Sequence, residues 1–396
     1  MKRSLLLVTL ALVALPLFAT NGYFAHGQGP ANKAMAGAGS ALPQDPLAAT
    51  TNPAAIAFVD PGMILELALF NPNRSYTITG MPSGMQGTFG LAPGTVDSSS
   101  EVFLMPSLAG TWRPSDRFAF GLSAVAQGGM NTDYRTNTFW GGDHTGVDLA
   151  QMFLDASFAW KPAANHSIGL TVRGVYQQFE AQGLQAFAMF SGSPSTLTNN
   201  EHDLSYGVGA KIGYYGKLHP DFAVAASWAP KISMSKFDDY SGLFCNQGEF
   251  DIPATMTIGL AWNVTDRLTW VADLEQIEYS GVNAVGHPFL PNIMTAPLGM
   301  HDGPGFGWED VTAYKTGVQF AVSQDWTVRA GYSTANQPIP ESEVLFNILA
   351  PGVVEDHVTA GFSRALPGGN AFHFSLMHAL RNSVSGPNPL EVPGQQ

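Results

Sequence analysis

The chain predicts an all-β fold, a transmembrane antiparallel barrel of the outer-membrane type. Three observations lead there. First, residues alternate strictly in polarity: Met152, Leu154, Ala156, Phe158 and Trp160 interleave with Phe153, Asp155, Ser157, Ala159 and Lys161. One face therefore suits lipid and the other is mixed. Second, very short turns and long loops take turns as connections, an asymmetry that a barrel needs and a soluble sandwich does not. Third, only 12% of the 396 residues are charged and 43 are glycine, with a mean hydropathy of +0.04. That middling value fits strands in which only every second residue meets lipid.

The elements follow in order. Met1-Lys2-Arg3 is a basic start and Ser4 to Leu17 an apolar run, so residues 1–19 read as a signal peptide cleaved near Ala19. The run is too short to span a bilayer as a helix, which takes about 20 apolar residues. Residues 20–61 show no sustained alternation and are rich in Ala and Gly. They read as a compact plug of short helices and turns. Residues 62–396 read as the barrel, with thirteen strands near 64–79, 102–112, 118–128, 148–161, 166–183, 204–217, 222–237, 252–264, 268–279, 311–322, 326–333, 356–366 and 371–382. Pro114-Ser115-Asp116, Thr265-Asp266 and Ser323–Asp325 are among the tight turns, built from residues whose backbone preferences favour them. Trp112, Trp160, Trp228, Trp262, Trp270 and Trp326 are expected beside the short turns, as an interfacial girdle. In the third strand, Gly128-Gly129 marks either a bulge or the start of an external loop.

Charge and cysteine exclude other classes. The net charge of −13 comes without a basic patch, against nucleic acid as a partner. Cys245 is the single cysteine, in a loop, and supplies no disulfide framework. Neither a His-Glu-x-x-His zinc pattern nor a Gly-x-Ser-x-Gly nucleophile elbow occurs. No metal, cofactor or catalytic residue is expected.

Two groups of residues are candidates for handling a ligand. Alternation places Arg173, Lys211, Lys315 and Arg329 on the face opposite the apolar set, hence toward the lumen, where cations can meet an anionic group. Asp155, Asp273 and Glu275 fall there too, so an internal salt-bridge network is the competing reading. In the external loops, Phe187 and Phe190 form one apolar cluster, and Phe289, Ile293 and Met294 another. Such clusters mark binding surfaces, or loops packed over one another as a lid.

Several motifs are recognisable. Asn21-Gly22-Tyr23-Phe24, Lys33–Ala41, and Asp45 followed by Asn52-Pro53-Ala54 resemble the start of mature FadL-type transporters. So do Gly307–Val311, Asn336–Pro340 and Phe346–Val353. The resemblance implies a fourteen-stranded barrel plugged by an N-terminal hatch that carries the Asn52-Pro53-Ala54 motif. It further implies passage of long-chain fatty acids or, in TodX-like branches, hydrocarbons, with release sideways through the third strand's wall. The expected protein is a monomer of the Gram-negative outer membrane, in contact with its lipid and inserted by the barrel-assembly machinery. A general porin for polar solutes and a lipid-hydrolysing barrel enzyme are the alternative classes. One closing strand is expected to be missing: the thirteenth strand runs outward and Ser383–Gln396 reads as a loop, whereas bacterial barrels have even strand counts.

Overall fold

The computed structural model describes residues 20–396; the expected signal peptide lies outside the described residues. Thirteen wall strands follow one another in antiparallel order. They are β1 (Gly62–Phe70), β2 (Phe103–Ser115), β3 (Phe118–Tyr134), β4 (Thr145–Ala163), β5 (His166–Gln182), β6 (Asp203–His219) and β7 (Phe222–Ala229). After these come β8 (Thr255–Thr265), β9 (Leu268–Ile277), β10 (Val311–Ala321), β11 (Trp326–Ala335), β12 (His357–Ala365) and β13 (Ala371–Ala379). Each pairs with the next in the chain, and β1 and β13 end the order.

Polarity is inverted relative to a soluble protein. On β4, Met152, Leu154, Phe158 and Trp160 are exposed, while Phe153, Asp155, Ser157 and Ala159 are buried. The same holds on β5, where Ile168, Leu170 and Val172 face out and Thr171 and Arg173 face in. No described helix is long and apolar enough to cross a membrane; the strands supply the apolar surface.

Strand ends differ from the expected ones where proline intervenes. β1 stops at Phe70, before Asn71-Pro72, because proline offers no ladder N–H. Ser75–Ile78 beyond it forms a separate hairpin with Gly94–Asp97. β7 likewise stops at Ala229, before Pro230. β3 is longer than expected: the register shifts between Ala126 and Gly128, and pairing with β4 continues to Tyr134. The paired glycines therefore mark a bulge and not the start of a loop. Trp228 also departs from expectation, since it pairs with Met256 at the long-loop end of β7. Trp262 and Trp270 pair with each other beside a short turn.

The N-terminal segment opens with two dipeptide strands, Thr20–Asn21 and Phe24–Ala25, folded back at Gly22 (φ 65°). Phe24 joins the ladder of β3 at Gly128, beside the bulge. Short helices follow at Pro30–Lys33, Ala48–Thr51 and Pro53–Phe58. This segment bonds inward-facing groups nearly all the way round the sheet. Ala54 O accepts from Ser167 Oγ of β5, Thr51 O from Ser227 Oγ of β7, and Asp273 of β9 accepts from Gly39 and Ser40 N–H. Lys315 of β10 donates to His26 O, and Ala36 N–H donates to Thr359 Oγ1 of β12. The wall curves around the segment.

Candidate functional site

Inward-facing cations of the wall are built in pairs and bridges. Arg173 lies directly opposite Asp155 in the β4–β5 register, and its Nε and NH2 each donate to one Asp155 oxygen at 2.7 Å. The guanidinium also stacks over Phe153, 4.5 Å from the ring centre. Lys315 faces Asp273 in register, yet its ammonium goes to Glu275 at 2.7 Å and to His26 O at 2.8 Å. Asp273 is occupied instead by the backbone N–H groups of Gly39 and Ser40. Arg329 donates to Gln319 at 2.8 Å, to Ser363 at 2.6 Å and to Gln44 of the N-terminal segment. Lys211 stands apart: buried, it donates to Thr50 O at 2.8 Å, and no carboxylate among the described residues pairs with it.

Three of these four cations share one cavity. About 650 Å³ of empty space, its mouth included, is bounded by Arg173, Lys211, Lys315 and Glu275 at its charged side. Phe24, Phe153, Ile232 and Ile252 give it apolar walls, and Gln28 and Thr51 of the N-terminal segment border it as well. Arg329 does not reach it. The cavity is thus mixed, with a cluster of cations partly compensated by carboxylates, neutral polar groups such as Gln28 and Thr51, and an apolar side.

The loop candidates assemble elsewhere. Phe187 and Phe289 meet edge-on at 6.3 Å, and both contact Phe346, at 5.8 and 5.3 Å. Ile293 is buried with them, Phe190 is half-buried, and its carbonyl accepts from Leu298 N–H. Met294 is 70% exposed. Phe187, Phe289 and Ile293 thus pack with Phe346 where the loops meet, Met294 stays outside that packing, and none of these residues lines the cavity.

The Asn52-Pro53-Ala54 turn packs flat on the wall. Asn52 Oδ1 caps the following short helix by accepting from Ala54 N–H, and Asn52 Nδ2 donates to Tyr214 O of β6 at 2.9 Å. Gly169 and Gly213, register partners on β5 and β6, leave room for it.

Residues that sequence reasoning passed over hold the segment's beginning. Tyr279, just after β9, accepts from the N–H groups of Tyr23 and Phe24 and donates to Asn21 O at 2.6 Å. Burial raises its phenol well above the usual range, so it stays a protonated donor. Trp308 packs beside it at 5.2 Å and donates to Asn347 Oδ1 at 2.6 Å. The Gly307–Val311 and Phe346–Val353 motifs therefore meet in space. Trp308 and Asn347 had no sequence signal beyond those motifs, and Tyr279 lies in none of them.

Cys245 is buried and donates to Gly303 O at 3.3 Å; burial pushes its thiol up to about 12. Glu343 accepts from Phe289 N–H at 2.7 Å, and its burial in the loops raises its carboxyl above the usual range. Among the described residues no three His, Cys, Asp or Glu side chains converge as metal ligands.

An inverted strand wall, an enclosed N-terminal segment and a cavity between them are the setting for comparison with known proteins. The model of the outer membrane protein transport protein family (OMPP1/FadL/TodX) matches residues 11–361. The chain belongs to this family. Solved structures agree in fold. A FadL homologue of Pseudomonas aeruginosa is 19% identical, covers 90% of each chain and superposes with a TM-score of 0.64. The toluene transporter TodX of P. putida is 17% identical with a TM-score of 0.63, over 91% of this chain and 93% of its own. The toluene transporter TbuX of Ralstonia pickettii is 19% identical with a TM-score of 0.61, over 90% and 94%. A search of curated proteins finds no significant match. Membership makes the chain an outer-membrane transport protein, in a family of transporters and not of enzymes.

Proposed function

We propose that this family member carries hydrophobic compounds with an ionised head group, long-chain fatty acids above all, passively across the outer membrane. The carrying observation is Lys211: a buried ammonium with no carboxylate partner among the described residues, on the edge of a cavity that Phe24, Phe153, Ile232 and Ile252 line on its apolar side. A hydrocarbon needs no such charge. A carboxylate gains a charge-assisted partner there, while its chain leaves water at about 0.8 kcal/mol per CH₂. Arg173 and Lys315 already spend their charge on Asp155 and Glu275, so they shape the cavity more than they attract the ligand.

In this reading residues 1–19 direct export and residues 20–61 act as the hatch. The loop lid around Phe187, Phe289 and Phe346 is the entrance, which opens for capture. Exit runs beside the β3 bulge, where the Ala126–Gly128 register shift and the inserted Phe24 interrupt regular pairing.

Uptake of labelled oleate and of toluene, in cells with the wild type, with Lys211→Met and without the protein, tests the proposal. Oleate uptake should fall by about tenfold in Lys211→Met, as expected for losing one charge-assisted contact, with toluene uptake retained. Equal loss of both ligands would refute the head-group role. Unchanged uptake of both, with raised sugar permeability, would favour a porin.

A further inference from the structure

Between β6 and β7 the wall has an unpaired stretch. Their ladder ends at Ile212 opposite Trp228, and the two sides meet again where Gly207 faces Met234. In between, residues 208–211 of β6 have no ladder partner in 229–233 among the described residues. Proline is the local cause: the register would set Ala210 opposite Pro230, which has no N–H to give. Ile232 then turns to the other side, exchanging N–H and C=O with Ile252 at 3.0 Å each. β6 itself stays paired with β5 from Asp203 to Gly216. One seam is therefore open over roughly 16 Å, at about 3.3 Å per residue from Gly207 to Ile212.

Side chains close the seam where the backbone does not. Gly207 and Gly209 leave the inner face of β6 bare. A Cβ on Gly209 would stand 2.5 Å from Ile232 Cδ1 and Cγ1, and one on Gly207 would run into Met234 Sδ. Ile232 and Met234 are buried there, laid across from the far side of the seam. Ile232 also borders the large cavity, as do Lys211, Ala229 and Pro230. Outside the seam Val208 is 76% exposed, and Tyr206, Ile212 and Trp228 are exposed around it. An apolar side chain thus stands between the cavity and an apolar outer face, with no ladder behind it. The stretch that carries it is fastened beyond the seam. Asp251 accepts from Met234 N–H at 2.9 Å and pairs with Lys231 at 3.3 Å, and Ser235 N–H donates to Tyr206 O at 2.8 Å. The β3 bulge differs: pairing with β4 continues past it, and the backbone of Tyr23 and Phe24 fills its other edge.

We propose that this seam is a second lateral portal, through which the apolar part of a ligand passes between the cavity and the membrane, with Ile232 as its gate. Swinging that side chain off Gly209 uncovers the opening without moving a strand. A chain crossing the seam meets apolar groups on both sides, so it stays out of water. The inference rests on the carriage of hydrophobic compounds and not on the head-group role of Lys211.

The test locks the gate. In the double variant Gly209→Cys, Ile232→Cys the two Cβ atoms lie within about 4 Å, the span of a disulfide, because the new Cβ adjoins the position of Ile232 Cγ1. Uptake of labelled oleate and of toluene is followed in cells under oxidising conditions and again after dithiothreitol. Affinity for each ligand is measured on the purified protein in both states. Uptake of both ligands should fall by about fivefold on oxidation, as for a lid held shut, and recover on reduction, with affinity unchanged. Equal uptake in the two states, or affinity falling in step with uptake, would overturn the portal. If the disulfide does not form, Ile232→Ala and Ile232→Trp decide. Faster uptake with alanine and slower with tryptophan are expected, and one rate for both refutes the gate. Lys211→Met keeps the two readings apart, since a selective loss of oleate there bears on the head group alone.

Discussion

Replacing Gly169 by alanine should loosen the N-terminal segment without unfolding the wall. A Cβ at this position would stand 2.3 Å from Ala54 N and 2.4 Å from Pro53 C. Both are backbone atoms, so no side chain can rotate away; the Asn52-Pro53-Ala54 turn must retreat by about 1 Å to reach ordinary contact. That retreat strains two bonds, Ser167 Oγ to Ala54 O at 2.7 Å and Asn52 Nδ2 to Tyr214 O at 2.9 Å. Each contributes about 1 kcal/mol, and overpacking adds about 1–3 kcal/mol. A total of about 3 kcal/mol shifts the ratio of docked to undocked segment by about a hundredfold. The outward face of β5 is untouched, so the wall should melt as before. Limited proteolysis of the purified protein reads the effect, as the rate of cleavage between residues 52 and 58. A rate within twofold of the wild type would refute the reasoning, since it would mean that the turn does not rest on the wall.

Other substitutions probe other contacts. Arg173→Met strands the buried Asp155 carboxylate and should cost about 3–5 kcal/mol, whereas adding Asp155→Leu should recover most of it; equal melting of the single and double variants would contradict the pairing. Tyr279→Phe removes the hydroxyl that serves Asn21, Tyr23 and Phe24. Amide exchange at Tyr23 and Phe24 should speed by about tenfold or more, as expected for orphaned buried donors, and unchanged protection would count against that role. Burial raises the Cys245 thiol to about 12, so thiolate is scarce at pH 8. A disulfide reagent should modify it in denaturant and not in the folded protein, with equal rates as the contrary result.

Much of the wall was legible because strand alternation depends on nearest neighbours. Met152 to Trp160 face out as their spacing required, and the tight turns fall where Pro, Asp and Asn cluster. Strand ends were harder. β1 and β7 stop at Pro72 and Pro230, local signals that a run of apolar residues overrode, and β3 continues past Gly128 because its partner β4 does. The candidate site was legible only in part. Alternation placed Arg173, Lys211 and Lys315 inward, but their partners come from segments far away in sequence. Lys315 faces Asp273 in register yet bonds Glu275, because Gly39 and Ser40 have taken Asp273. The loop aromatics were identified as a group, while their burial as a lid depends on how several loops meet.

The inward face of a single strand, β5, shows what the wall has been shaped around. Ser167 bonds Ala54 O, and Gly169 gives way to the Pro53–Ala54 backbone. Two steps on, Thr171 bonds Ser157 across the sheet, and Arg173 then borders the cavity. Beyond it, Gln177 donates to Phe250 O, and Phe179 packs on Phe237, Tyr240 and Phe244 of the loops. Small residues, a charge, an amide and an aromatic ring thus succeed one another along one strand, matching segment, cavity and lid. The small end is the informative one. Glycine inside a strand costs about 0.5–1 kcal/mol, so it persists where a backbone comes close. Gly213 on β6, Gly317 on β10 and Gly331 on β11 repeat the pattern, each too near Asn52, Met35 or Ala36 to admit a Cβ. An open water-filled pore would gain nothing from such positions. Their recurrence around the wall favours a lumen built to hold its N-terminal segment, and the cavity proposed for the ligand begins where the glycines give way to charge.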